Sequence, residues 1–314
     1  MVKKYLLIIA LLLQNICSAK DYLDYHAYIN KAETYLVDNK IDSCFYYYDK
    51  AFAEFDFVFV KDAFIAAQAG IKHNDARRVV QYLIKGALNG MRADCINTCV
   101  IFDAMKETAL YVKVRLGMDS AYDIYSRTHD TKLANEWAQR FSLDLDAKDN
   151  GSTTEHKGIV ADNAKAVKEL MKIKGFPGEK ILGPIDDCRD MGNYHAMISL
   201  LEYDCGVAEM HDQLWEAVKR GELHPRDFAA LCEAEKDMEQ HKDTRAVANP
   251  ACYTKLQPRG LYFQLNDFKK NNAKTGEAEK NRVTHGICTI DTDRKKVALA
   301  EREDYKFKFG RWPM

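Results

Sequence analysis

The sequence predicts a nearly all-α protein: a short helical-repeat array, then a second helical domain ending in a small C-terminal β element. Three observations carry this. All six prolines fall at or after Pro177, and proline breaks helix interiors at a cost of about 3 kcal/mol. Apolar residues through the first half recur every three or four positions, which is the helical period. The third is a repeat. Ala32, Tyr35, Cys44, Tyr48 and Ala51 are matched 35 residues on by Ala67, Gly70, Val79, Leu83 and Gly86.

The first element is a leader. Lys3 and Lys4 precede an apolar run from Tyr5 to Leu13, and Cys17-Ser18-Ala19 supplies small residues for cleavage after Ala19. That order reads as a secretory signal peptide over residues 1–19. The run is shorter than the roughly 20 residues a spanning helix needs. The expectation is an exported chain, periplasmic or extracellular, with no transmembrane segment. The alternative is a lipid anchor at Cys17, against which stand Gln14 and Ile16 at positions that want aliphatic and small residues.

Residues 22–38 and 41–55 form the first predicted hairpin, turning near Asn39-Lys40, and a second turns near Asn74-Asp75. Small residues let helices approach closely while large ones fill the grooves. Over about 22–90 the chain resembles tetratricopeptide-like repeats, whose period is near 34. It departs from them in lacking an aromatic at Gly70 and a closing proline. Helical phase continues through 93–107, and 109–143 supplies further helices with Asp119-Ser120 and Asp130-Thr131 as N-caps. The polar stretch 144–156, with Asn150-Gly151, predicts a linker. The domains are thus 20–145 and 157–314, joined by 146–156.

The second domain opens with a helix over 160–174, stopped by Gly175. Helices follow near 184–191, 194–203, 206–220 and 225–240, the last with Pro225 at its first turn. Gly260–Leu265 suits a short strand. Asp291 caps a helix to Asp304, and Tyr305, Phe307 and Phe309 then alternate with lysines in strand period.

Gly175-Phe176-Pro177, Leu182-Gly183, His195, Leu214, Ala217, Gly221-Glu222-Leu223, Phe228–Leu231, Tyr253-Thr254, Gly260, Asp267, Arg282 and Gly286-Ile287 occur in that order. Over about 159–288 the chain resembles an uncharacterised helical bacterial domain, often found in exported proteins behind helical repeats. The family tends to carry an acidic-basic pair where this chain has Glu233-Ala234, and a Tyr-Gly-Thr-Gln turn of which Tyr253-Thr254 remains. The resemblance implies architecture and no established activity.

Composition narrows function. The chain is 47% hydrophobic and 30% charged, with a net charge of -1. No global field points to nucleic acid or an anionic membrane. Phosphate-loop, zinc-helix and nucleophile-elbow motifs are missing, so no cofactor is expected. Nine cysteines become eight without Cys17, an even number that permits disulfides in an exported chain. Cys95 and Cys99, four apart, would form half of a metal site with Cys44 as a third ligand. The preferred reading is buried packing, with no metal.

Two kinds of site remain. His195 and His211, with Asp186, Asp187 and Asp212 available to orient them, are acid–base candidates, and Tyr253 is a further one. In the Tyr46-Tyr47-Tyr48 run one ring must face solvent, with Tyr47 the choice, so Tyr47 and Tyr48 are the binding candidates. The expectation is a non-catalytic protein holding a protein or peptide partner on its repeat surface. The alternative is a hydrolase-type enzyme around His195.

Overall fold

The computed structural model describes residues 20–184, 194–203, 206–240 and 275–307, and all regular structure among them is helical. The elements are α1 (Tyr22–Val37), α2 (Ile41–Glu54), α3 (Val60–Lys72), α4 (Ala76–Ala87), α5 (Asp103–Lys106), α6 (Ala109–Thr128) and α7 (Thr131–Asn150). They continue as α8 (Thr153–Ile173), α9 (Glu179–Leu182), α10 (Tyr194–Glu202), α11 (Gly206–Lys219), α12 (Pro225–Gln240), α13 (Thr275–Thr284) and α14 (Ile290–Glu303). No helix among the described residues is long and apolar enough to cross a membrane.

The two hairpins α1–α2 and α3–α4 turn in the same way. Asn39 and Asn74 both have φ of 56°, a left-handed conformation that asparagine tolerates better than most residues. Lys40 N–H donates to Tyr35 O and Asp75 N–H to Gly70 O, each at 2.8 Å. Those bonds close the helix ends as Schellman turns, and their positions differ by 35 residues. Gly70 replaces an aromatic because α3 and α4 nearly touch there. A Cβ at Gly70 would lie 2.9 Å from Val79 Cγ2.

Asp75 accepts from Arg78 N–H at 3.0 Å to start α4, whose Val79, Tyr82, Leu83 and Ala87 form the buried stripe. In contrast, α3 is buried almost all round, as expected of a helix wrapped by others. The first core joins α1–α4, α6 and the turns between them with Leu299, Tyr305 and Phe307 from the far end of the chain. A second core joins Trp137 of α7 with α8, α10, α11, α12 and Ile287.

Residues 146–156 are helical for most of their length. Asp130 caps α7, accepting from Leu133 N–H at 3.1 Å. The expected linker is the end of α7 and the start of α8, broken only where Ser152 caps α8. Its polar residues belong mostly to the solvent faces of those two helices. Asp119-Ser120 lies inside α6, and Thr289, not Asp291, caps α14.

The C-terminal β element is absent among the described residues. Tyr305 and Phe307 alternate as a strand would, but both sink into the first core with rings stacked at 5.5 Å. The Lys306 backbone finds its partners in one side chain. Its N–H donates to Gln68 Oε1 at 2.7 Å, and its carbonyl accepts from Gln68 Nε2 at 3.1 Å. A side-chain amide thus stands where a neighbouring strand would pair. The leader, the helix near 184–191, the Gly260–Leu265 strand and Phe309 lie outside the described residues.

Candidate functional site

Helices α1, α3, α12 and α14 meet where the two cores face each other, and each brings charged or titratable groups inward. From α1 come His26, Asn30 and Glu33; from α3, Lys61 and Asp62. His224 and Arg226 lie at the start of α12, and Asp293 and Lys296 on α14. Most of these are buried. Burying a charge is expensive unless it is paired, and the pairing is dense.

Asp293 is the hub. Arg226 reaches it with two nitrogens at 2.6 and 2.9 Å, Arg282 contacts it directly, and Lys296 lies 3.6 Å away. Burial alone would raise its carboxyl, but Arg226, Lys296 and Arg282 hold it well below the carboxylate range. Lys296 also pairs with Glu33. The Cys288 thiol donates to Asp293 Oδ1 at 3.0 Å. Burial pushes that thiol upward despite Lys296 and Arg226 beside it.

Asp62 and Glu179 are held differently. Tyr25 donates its hydroxyl to Asp62 Oδ2 at 2.9 Å, and burial lifts the Asp62 carboxyl to about 7. Glu179 accepts from Val60 N–H at 2.5 Å, capping α3 from outside, and burial lifts it to about 8. The His26 and His224 rings meet edge to face at 4.9 Å. Burial first, and the Lys61 charge second, push both well below the usual imidazole range. Burial likewise lowers the Lys61 ammonium, against the pull of Asp227 and Asp62.

Between these groups lies a cavity lined by His26, Lys61, Asp62, His224, Arg226 and Lys296, offering about 20 Å³ to the centres of water-sized molecules. That is room for one water. His26 Nε2 is buried beside it with no hydrogen-bond partner among the described residues. The arrangement can hold protons and a water.

Of the sequence-based acid–base candidates, His211 and Asp212 have described side chains. His211 sits on α11, with Nδ1 3.0 Å from the exposed Asp212 and its ring 5.4 Å from Phe228. Asp186, Asp187 and Tyr253, and the side chain of His195, lie outside the described residues. The metal half-site is overturned. Cys95 is disulfide-bonded and sits on a tight 3-10 turn, Ala93–Thr98, so Cys95 and Cys99 do not share one α-helical face. The Cys99 thiol donates to Gln68 instead. No cluster able to hold a metal occurs among the described residues.

A second candidate is the outer face of α1–α2. Tyr48 is fully buried and Tyr47 half-buried, while Tyr46 is 59% exposed. The ring facing solvent is therefore Tyr46, one position from the expected one. Tyr47 stacks on Tyr35 at 5.6 Å and 11°, with Tyr46 edge-on at 5.1 Å and Tyr28 at 6.4 Å. Lys31, Lys40 and Lys50 ride over the rings of Tyr47, Tyr35 and Tyr28 at 5.3, 5.8 and 4.5 Å.

The junction residues were missed by sequence reasoning. Their signal was charge in apolar phase: His26 and Glu33 share the face of α1 that carries Tyr22, Ile29 and Leu36. No protein-family model, curated protein or solved structure matches the chain.

Proposed function

We propose that this is an exported, non-catalytic binding protein that holds a protein or peptide partner on the tyrosine–lysine face of its first helical-repeat hairpin. The observation that carries the reading is the stack of Tyr35 on Tyr47, flanked by Tyr28 and Tyr46 and edged by lysines. Tyrosine gives large, stiff, amphipathic contact area and is enriched where proteins meet. The lysine rim favours a partner with carboxylates. Export is supported by the leader and by the Cys95 disulfide, since such bonds persist in oxidising compartments.

The test is selection from a random peptide library on the immobilised protein. Enriched peptides should carry acidic residues and lose about tenfold or more in affinity to a Tyr46→Ala, Tyr47→Ala double variant. His211→Ala, far from that face, should leave affinity unchanged. No enrichment, or enrichment indifferent to the tyrosines, counts against the proposal.

A further inference from the structure

Helix α6 closes the first core with one face and leaves the other bare. Val114, Met118 and Ala121 are buried, and α6 packs on α4 and α5. The following helix, α7, does not cover it; it sends Trp137 into the second core. On the outer face Val112, Leu116 and Ile124 are 58, 66 and 54% exposed. Terminal units of helical arrays normally turn a polar face outward, so an apolar ridge there calls for a cover.

The charges beside the ridge say what the cover is. Lys113 and Asp123 are both exposed, and among the described residues neither has an ion-pair partner. The outer face is complementary to itself about Met118. Val112 and Ile124 lie six residues to either side, Lys113 and Asp123 five, and Leu116 and Ser120 two. We infer that α6 packs antiparallel against α6 of a second copy of this chain, about a two-fold axis crossing the outer face at the level of Met118. Val112 then meets Ile124 of the other copy at each end of the contact. Lys113 meets Asp123 twice, and the large Leu116 sits opposite the small Ser120. Each pair is made twice, as an isologous contact demands. Antiparallel helices also bring opposite dipole ends together. The paired segment is about 18 Å long at 1.5 Å per residue, which places the dimer among weak, reversible ones.

The experiment is sedimentation equilibrium on the purified chain from about 1 to 200 µM, where a weak dimer dissociates measurably. The mass should rise toward twice the monomer value across that range. Leu116→Asp should hold the protein monomeric. Lys113→Asp and Asp123→Lys should each weaken association about tenfold by setting like charges opposite each other. The double swap should restore it to within about threefold, as a direct pairwise contact requires. Circular dichroism melts confirm that these surface variants stay folded. A wild-type monomer at 200 µM overturns the inference, as it would if α6 served a different partner helix. So does a dimer indifferent to Leu116→Asp, or a double swap that fails to recover.

Discussion

Arg226 places two guanidinium nitrogens on the two carboxylate oxygens of Asp293, 67 residues away in sequence, at 2.9 and 2.6 Å. The pair joins the start of α12 to α14, with Asp293 shielded from water and Arg226 mostly so. Asp293→Asn would leave Arg226 and Arg282 buried without their anion. The expected loss is about 3–5 kcal/mol, read as a lower urea midpoint. Asp291→Asn, on the exposed side of the same helix, should change stability by less than about 0.5 kcal/mol.

Glu179 titrates near 8 in the folded chain against 4.5 for a free glutamate. The folded state therefore holds the extra proton, and this contribution is full below about pH 4.5 and lost as pH rises through 8. Glu179→Gln keeps an oxygen for Val60 N–H and removes the titration. It should raise stability at pH 9 by on the order of 2–4 kcal/mol and change it little at pH 5. Thermal melts at the two pH values check this, and equal shifts at both would refute it.

His26 runs the other way. Its folded value is depressed well below 6.5, so the unfolded chain takes the proton first. That contribution is present above about pH 6.5 and lost as pH falls below it. His26→Leu should flatten the decline in melting temperature between pH 7 and 5. A decline as steep as the wild type's would show that the ring does not titrate against Lys61 and its neighbours.

Asn39 and Asn74 hold the same backbone shape, so they should respond alike. Alanine at either position costs about 1 kcal/mol, because it keeps the Cβ but loses the short polar side chain that eases the left-handed conformation, whereas glycine is neutral or slightly stabilising. Denaturant midpoints for the four single variants would reveal any inequality between the two turns.

Cys95 is bridged, while the Cys44 thiol is reduced, fully buried and pushed far above its usual value chiefly by burial. Dithiothreitol should lower stability by about 2–4 kcal/mol. Cys44 should resist alkylation until the protein unfolds, which peptide mass mapping after iodoacetamide treatment would detect.

Local rules made most helices readable. Asn39, Asn74, Gly175 and Pro225 each mark a helix end or start through their own backbone preferences. Residues 144–156 misled because a polar run with Asn-Gly is equally at home on the wet faces of two helices. Tyr305 and Phe307 misled because alternation reports sidedness, not pairing, and the pairing group is Gln68 on α3. The junction was hidden for a different reason. Glu33 and Lys296 are 263 residues apart, and no local pattern in α1 or α14 announces the other. The tyrosine face was half visible: the run Tyr46-Tyr47-Tyr48 is plain in sequence, but helix rotation decides which ring is wet.

Because Lys296, Tyr305 and Phe307 complete surroundings whose remaining walls come from α1 and α3, the N-terminal hairpins cannot reach their final packing until the closing helix has been made. A polypeptide delivered head first, from a ribosome or through a narrow pore, would stay loosely assembled throughout its passage. It would tighten only once its tail arrived, so shortening the tail by some twenty residues should damage the opposite end of the molecule most.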